Sequence, residues 1–311
     1  MRRLLPVLDI VFFLTLGFGC TRSQQTRNDG SQLANAVGLD DLQQAKKLLR
    51  LGADPNERSE NGVTPLWIAV DHDDTTMVNL LLEHHADIHD TSGRHSMESV
   101  GEIAAFNNSF RSLEILFKHG FSLQKKDKEG QSMLHIATRR NNLEIAKFLL
   151  QHGLDPNTPD SLDGQSPLLI AVDNGSPAMV SLLLSHGANP NSRGPASFTP
   201  LCEVILQDAD ESFQRPAVFE ELRMFGDSSK RSRHERYVKI IMTLLDSGAL
   251  PNFEIARGAP LWTAAWKCDP EMATILIQYG ADRVAKDRDG NTPLDMAKKI
   301  GCKEMVELLT K

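Results

Sequence analysis

A short phrase returns along this chain at a nearly constant spacing, and this period constrains the fold more than any other feature. Its full form is Gly153-Leu-Asp-Pro-Asn157, and variant copies occur on both sides. The copies begin at Gly52, His85, Gly120, Gly153, Gly187, Gly248 and Gly280. The intervals between them are nearly equal, except that the one from Gly187 to Gly248 is close to two periods long. Such a period is typical of an array of similar units that pack on their neighbours, rather than of one globule.

A second phrase runs in phase with the first and predicts where helices begin. Its form is Thr64-Pro-Leu66. Related triplets begin at Ser132, Ser166, Thr199, Ala259 and Thr292. Thr or Ser suits the N-cap because its oxygen accepts a hydrogen bond from an unpaired N–H, and Pro suits the first helical position. In most units the number of residues from the Leu of the triplet to the Gly of the next phrase is the same as from Leu134 to Gly153. This length predicts two short antiparallel helices, the second of which ends at a residue with positive φ.

These patterns resemble the ankyrin repeat. The match is clear in Leu134-His-Ile-Ala137 followed by residues 142–150, and in Thr292-Pro-Leu-Asp-Met-Ala297 followed by residues 303–309. The resemblance implies an all-α fold, an ankyrin-repeat solenoid of about eight helix-turn-helix repeats with short β-hairpin loops. We place the ankyrin-repeat domain at residues 31–311, so only the segment 1–30 falls outside the resemblance.

Four repeats depart from the common pattern. The first, which starts at Leu33, lacks a preceding hairpin and is the expected N-terminal cap, and the eighth has the polar outer surface of a C-terminal cap. The third has no Thr-Pro-Leu, and residues 99–105 take that place, so its first helix should be the weakest. In the second, His85 stands where Gly is usual, so either it adopts a left-handed conformation at some cost or the helix ends differently.

The long interval between Gly187 and Gly248 contains an insertion, at about residues 208–236, between the two helices of repeat 6. Its first half is acidic and its second half is basic, and Phe213, Phe219 and Phe225 help to make the middle amphipathic enough for a short helix. Two interpretations stay open. The insertion is either a surface excursion without a function or a protrusion that grips a partner, since repeat arrays place insertions on one accessible face.

The first residues predict export. A basic start precedes a largely apolar stretch, residues 4–18, that is short for a membrane span, so residues 1–19 are assigned as a signal peptide. Cys20 then resembles the lipidated first residue of a mature bacterial lipoprotein, and ordinary signal-peptidase cleavage after Gly19 is the alternative. With Thr21 in second place, the lipoprotein would be sorted to the periplasmic face of the outer membrane, with residues 20–30 as a flexible tether. The alternative location is the soluble periplasm.

Charge and cysteine usage exclude other classes of protein. The net charge of −7 argues against nonspecific binding of nucleic acid. Beyond Cys20, the remaining cysteines Cys202, Cys268 and Cys302 lack metal-ligand spacing. Stacked repeats lie roughly 10 Å apart, so we expect no disulfide between Cys268 and Cys302.

Four histidines recur at the repeat spacing, one position before the Gly. They are His84, His119, His152 and His186. Neighbours roughly 10 Å apart cannot share one ion, because Zn–N bonds are about 2 Å long, so we interpret these residues as helix C-terminal donors. The local set His84, His85, His89 and His95 is an alternative metal candidate. We predict no bound metal and no cofactor.

The chain lacks the motifs of serine hydrolases, zinc proteases and phosphate-binding loops, so we predict that it is not an enzyme.

In ankyrin proteins the loop tips and the exposed surface of each first helix form a concave face whose residues are free to vary. This register predicts a partner-binding set of Arg58, Glu60, Asn61, Asp71, His72, Lys126, Lys128, Glu129, Arg139, Arg140, Ser161, Leu162, Asp173, Asn174, Trp266 and Lys267. Trp266 is the expected hot spot because its position has no packing duty, whereas Trp67 and Trp262 should be structural.

We therefore predict an exported, lipid-anchored, monomeric ankyrin-repeat protein that binds a protein partner in the cell envelope. A more specific alternative is an immunity protein that neutralises a periplasm-acting toxin, such as a secreted phospholipase or lipase effector. A third alternative is an enzyme with an unrecognised site in the insertion. The composition does not identify the partner or the organism.

Overall fold

The computed structural model describes residues 32–91, 99–127, 130–161, 164–194, 198–207, 228–252 and 259–311. Within these residues sixteen helices follow one another in eight pairs. The first four pairs are α1 (Gln32–Gly38) with α2 (Leu42–Arg50), α3 (Pro65–Asp71) with α4 (Thr75–Glu83), α5 (Val100–Asn107) with α6 (Phe110–Lys118), and α7 (Met133–Arg139) with α8 (Leu143–Gln151). The last four are α9 (Pro167–Asp173) with α10 (Pro177–Ser185), α11 (Pro200–Gln207) with α12 (Ser228–Asp246), α13 (Pro260–Trp266) with α14 (Pro270–Gln278), and α15 (Pro293–Ile300) with α16 (Lys303–Thr310). The predicted eight-unit, all-α solenoid is confirmed.

The helices begin where the cap residues dictate. In repeat 2 the Thr64 hydroxyl accepts the Trp67 N–H at 3.4 Å, and Pro65 takes the first helical position. The second helix of the same repeat begins after Asp74, whose carboxylate accepts the N–H groups of Thr76 and Met77, each at 3.0 Å. Because these side chains satisfy donors that have no partner within the helix, they fix both helix starts.

The turn between paired helices is tight and uses a residue in the left-handed region. Such residues, with φ between 52° and 63°, are Asp40, Asp73, Asn108, Asn141, Gly175 and Cys268. Asn and Asp tolerate this conformation better than most residues, which explains their frequency here. His85 has a φ of 65° at the end of α4, so the first of the two predicted alternatives for this residue holds.

The side chain of the last Asn in the repeated phrase forms hydrogen bonds with the backbone of the next repeat. The Asn157 side chain donates to the Gly187 carbonyl at 2.9 Å and accepts the Asn189 N–H at 2.7 Å. Asn191 makes the equivalent pair of bonds with the Gly248 carbonyl and the Leu250 N–H, each at 2.9 Å. Asn56 and Asn252 repeat the arrangement at two other junctions. The phrase therefore encodes a connection between repeats as well as a helix end.

The core is continuous along the array. The Leu of five of the six Thr-Pro-Leu-type triplets is buried, namely Leu66, Leu134, Leu168, Leu201 and Leu261, and Leu294 of the last triplet is partly buried. Buried alanines recur in the first helices, at Ala69, Ala104, Ala137, Ala171 and Ala264, and a buried methionine or leucine recurs in the second helices, at Met77, Leu113, Leu149, Leu183 and Leu276. Each repeat buries its apolar face against its neighbours, so no repeat has a core of its own.

The loops have the shape of hairpins without regular strands. The Asp127 N–H donates to the Gln131 carbonyl at 3.0 Å, and the Asp287 N–H donates to the Asn291 carbonyl at 2.9 Å. One isolated antiparallel bridge joins Lys126 and Ser132, and the described residues contain no longer strand.

The prediction that Cys268 and Cys302 are too far apart to bond is wrong. The two residues form a disulfide with a Cα–Cα distance of 5.7 Å. The predicted spacing of roughly 10 Å applies to helix axes, whereas these residues lie in the turns between helices, where neighbouring repeats approach more closely. Asn141 and Ser176 occupy the corresponding turn positions of repeats 4 and 5, and there the Ser176 hydroxyl lies 2.7 Å from the Asn141 side chain.

The insertion predicted at about residues 208–236 falls only partly within the described residues. Residues 208–227, with the predicted short helix, lie outside the described residues. From Ser228 onward the chain is already helical, so α12 is 19 residues long, whereas the second helix α8 has 9. His234 on this extension lies 3.4 Å from the Glu271 carboxylate of repeat 7. The last part of the predicted insertion is thus an extension of the second helix.

Candidate protein-binding surface

One surface joins the loops to the exposed ends of the first helices, and we call it the groove face. It comprises residues 57–62, 71–72, 124–127, 139–140, 159–161 and 173–174, with Trp266 in repeat 7. Two contacts show that loop and helix end belong together. Arg139 at the end of α7 lies 3.6 Å from the Asp160 carboxylate of the next loop, and Gln165 donates to Asp173 at 3.3 Å.

In repeat 2 the predicted residues differ in their structural duties. Arg58 pairs with Asp90 at 3.0 Å and also donates to the Gly62 carbonyl. Glu60 and Asn61 are exposed at the loop tip. Arg58 therefore joins two loops, while Glu60 projects from the surface.

The first-helix end of repeat 2 is acidic. Asp71 is half-buried and accepts a hydrogen bond from the Asn107 side chain. Burial raises the pKa of Asp71, while His72 and the Asn107 bond oppose this shift. His72 is exposed and lies 3.2 Å from the Asp40 carboxylate of the preceding repeat.

In repeat 4 the two arginines are held by different partners. Arg139 keeps 46% of its side chain exposed although it faces Asp160, whose side chain is only 1% exposed. Arg140 donates from Nε to the Phe106 carbonyl at 3.2 Å, and its guanidinium lies 4.0 Å from the Phe106 ring centroid. Lys126 is exposed, and among the described residues its side chain forms no ion pair. Lys128, Glu129 and Leu162 lie outside the described residues.

Beneath these arginines lies a buried histidine that the sequence analysis missed. His135 is 0% exposed, and its Nδ1 lies 2.8 Å from the Ser132 hydroxyl. Burial lowers the pKa of His135, while Asp160 and the backbones of Thr158 and Gln165 favour its charged form. The neutral ring accepts the Ser132 N–H at 3.1 Å and so completes the cap of α7.

The residues of repeat 5 also include a structural one. Asn174 donates to the Thr138 carbonyl at 2.9 Å and thereby joins the turns of two repeats. Asp173 and Ser161 are exposed. The amide at position 142 does the same one repeat earlier, where Asn142 donates to the Ala105 carbonyl at 2.7 Å. This recurrence of an amide side chain in the turn is the signal that could have revealed the structural duty.

Repeat 7 corrects one predicted contact residue. Lys267 is only 4% exposed, and its ammonium donates to the Ile205 carbonyl of repeat 6. It therefore satisfies the end of α11 and is not available on the surface. Trp266 is half-buried and stacks on Trp262 with ring centroids 6.5 Å apart. Trp266 thus has a packing partner, contrary to the expectation that its position carries no packing duty.

The recurring histidines lie at helix ends as predicted. Each follows a second helix directly, and the ring Nδ1 of His119, His152 and His186 lies 2.8–3.0 Å from the carbonyl one helical turn earlier. The prediction that these side chains serve helix C-termini is confirmed for these three. His152 also contacts the rings of Phe117 and Phe148, at centroid distances of 4.5 and 4.2 Å.

The described part of the chain contains neither a metal-binding cluster nor a helix that could cross a membrane. No group of three or more His, Cys, Asp or Glu residues is placed to hold a metal ion there. None of the described helices has the length and apolar character needed to cross a bilayer. Cys20 and His95 lie outside the described residues.

Known proteins share this architecture. The family model described as "Ankyrin repeats (3 copies)" matches residues 8–98 and 102–194, which is more than half of the chain. A putative ankyrin repeat protein of Rickettsia felis is 30% identical over 143 residues, covering 46% of this chain and 49% of that protein. The potassium channel AKT1 of Arabidopsis thaliana is 33% identical over 154 residues, covering 40% of this chain and 18% of the channel. The chain therefore spans less than half the length of these relatives.

A solved structure supports the same fold. The ankyrin repeat domain of Bcl-3 covers 92% of this chain and is itself covered completely, with a TM-score of 0.51 and 21% sequence identity. At that identity the likeness concerns the fold alone. Together with the eight helix pairs and the family match, it shows that this chain belongs to the ankyrin-repeat family.

Proposed function

We propose that this chain is an exported, lipid-anchored protein that binds a protein partner in the cell envelope through its groove face. Ankyrin repeats are protein-interaction modules, so the coarse function follows from the family. One observation carries the assignment to this face. Glu60 and Lys126 expose charged groups on loops whose backbones are held by hydrogen bonds within each loop, and the Glu60 loop is also bonded to the next repeat. Binding by such a preformed surface costs little ordering entropy.

Two features support export. Residues 1–20 have the basic start, apolar stretch and cysteine of a lipoprotein signal. Independently, the Cys268–Cys302 disulfide suits an oxidising compartment such as the periplasm, because cytosolic thiols are kept reduced. The two features lie at opposite ends of the chain and support the same location.

Affinity capture tests the partner-binding role. Residues 21–311 serve as bait, and the double variant Glu60→Lys/Lys126→Glu should lose a partner that the unaltered bait retains. The matched control is Lys147→Glu, an exposed position on α8 of repeat 4, away from the groove face. Equal capture by all three baits would place the interface elsewhere, and loss with the control alone would place it on the second helices.

The lipid anchor has its own test. Cells that express the full chain are grown with a labelled fatty acid, and label should appear on the protein but not on the Cys20→Ser variant. Release of unlabelled protein into the soluble periplasm would instead identify ordinary cleavage after Gly19.

The immunity role is a finer version of the same proposal. A protein that neutralises a periplasm-acting toxin must bind it before the toxin reaches its substrate, and a preformed face at the membrane suits that task. Deletion of the gene should then sensitise cells to toxin-delivering siblings. Undiminished survival in that competition would contradict the immunity role without affecting the broader one.

A further inference from the structure

The outward side of α2 is a basic stripe. Gln43, Lys46, Lys47 and Arg50 are spaced so that they share one helix face, and with Leu51 they line one shallow depression. The sequence of α2 includes three cations and no acid, in a chain whose net charge is −7. Within the described part of the chain, none of the three cations forms an ion pair.

Large apolar side chains flank this stripe. Leu39 is 77% exposed in the turn before α2, and Leu51 is 75% exposed directly after it. Unpaired cations beside exposed aliphatic side chains suit a lipid surface, because the cations attract anionic headgroups and the aliphatic groups enter the boundary of the acyl chains.

The chain reaches α1 close to this stripe. The helices α1 and α2 are joined by the short turn 39–41 and so run antiparallel. Gln32 at the start of α1 therefore lies at the same end of the pair as Arg50 and Leu51. Only residues 21–31 separate Cys20 from α1, and the root-mean-square reach of a chain of that length is roughly 18 Å.

From these observations we propose that the basic stripe, defined as Lys46, Lys47 and Arg50 with Leu39 and Leu51, docks on an anionic lipid bilayer. The proposal rests on the lipid anchor proposed above for the location of the protein, because the anchor keeps the bilayer within reach of repeat 1. Docking holds the first repeat against the headgroups and orients the array relative to the membrane. The later repeats then extend from a fixed point, which presents the groove face to proteins in the periplasm.

Vesicle co-sedimentation tests the stripe directly. Residues 21–311 contain every described helix and are mixed with millimolar lipid, as phosphatidylglycerol/phosphatidylethanolamine vesicles or as phosphatidylcholine vesicles. The protein should bind the anionic vesicles, and salt should weaken this binding. The variant Lys46→Gln/Lys47→Gln/Arg50→Gln should lower the partition roughly 100-fold, since each cation near an anionic surface contributes about a factor of five. Circular dichroism checks that the variant keeps its helices.

A matched control lies at the other end of the array. Lys298→Gln/Lys299→Gln/Lys303→Gln removes the same charge from exposed positions of repeat 8 and should leave the partition unchanged. Absence of binding to anionic vesicles, or an equal loss in both variants, would overturn the proposal. A stripe variant that binds vesicles normally but loses a captured acidic protein would also overturn it.

The outcomes separate this proposal from the proposed function. The fragment carries no lipid, so vesicle binding is measured whether or not Cys20 is modified in cells. Conversely, a failed vesicle experiment leaves lipid labelling at Cys20 and partner capture by the groove face unaffected.

Discussion

The disulfide between Cys268 and Cys302 allows the sharpest test of the structure. It closes a loop across 34 residues that contains α14 and α15. The chain-entropy relation for a loop of this length gives about 4 kcal/mol of stabilisation. We expect Cys268→Ala/Cys302→Ala to lower the free energy of unfolding by about that amount, with the loss concentrated in repeats 7 and 8 because each repeat contacts only its neighbours.

Urea unfolding followed by circular dichroism, with and without a reductant, measures this effect. The reductant should destabilise the unaltered protein and leave the double variant unchanged, and hydrogen exchange should locate the faster opening in α14, α15 and α16. Cys202→Ala is the control, because Cys202 is the remaining cysteine of the described chain and carries a free, buried thiol. Three titratable thiols in the oxidised, unfolded fragment 21–311 would refute the reasoning.

The turns of repeats 4 and 5 suggest a substitution that should restore part of the stability lost with the disulfide. Asn141 and Ser176 occupy the positions that correspond to the two cysteines and form a hydrogen bond of 2.7 Å. The substitution Cys268→Asn/Cys302→Ser should therefore be about 1 kcal/mol more stable than the double alanine variant. Asn also suits the left-handed backbone at position 268, where φ is 54°. Equal stability of the two variants would show that the turns of repeats 7 and 8 do not reproduce the earlier geometry.

Three further predictions concern single positions. Asn157→Ala and Asn191→Ala should each lower the free energy of unfolding by about 1 to 2 kcal/mol in urea titrations, because each removes two bonds between repeats; an effect at one position alone would contradict the shared role. His85→Gly should raise the thermal midpoint by relieving about 0.5 to 1 kcal/mol of left-handed strain at a φ of 65°, and an unchanged midpoint would contradict it. Burial lowers the folded-state pKa of His135, so its contribution to stability is present above pH 6.5 and is lost as the pH falls through the folded-state pKa. Unfolding titrations carried downward from pH 7 should therefore show a slope that His135→Gln flattens, and an equal slope in the variant would contradict this role.

Most of the fold follows from local rules that the sequence displays. Thr64 and Pro65 begin a helix, as their counterparts do in later repeats, and the spacing to the next Gly fixes the length of the helix pair. The contact of the His119 side chain with the C-terminus of its helix was also predictable, because the residue lies directly at the helix end. Such features depend on near neighbours along the chain, and for that reason a repeated phrase reveals them.

Contacts between repeats were harder to foresee. The disulfide, the bond from Lys267 to Ile205 and the bond from Asn174 to Thr138 all join different repeats at the turns between paired helices. Their geometry depends on how closely successive turns approach, and the helix-axis spacing does not give that distance. The long α12 was missed for a related reason, since a basic, polar segment can continue a helix whose packed part lies further along the chain.

Some of the predicted contact residues also stabilise the fold, and this determines which substitutions can test partner binding at the groove face. Arg139 faces the almost fully buried carboxylate of Asp160, so Arg139→Glu would place two carboxylates together and destabilise the loop. Trp266→Ala would remove a ring that stacks on Trp262. Either substitution would weaken partner capture even if the residue never touched the partner. Lys126 projects from the same face of repeat 4 without an ion pair among the described residues, so a loss of capture on Lys126→Glu reports contact rather than altered folding.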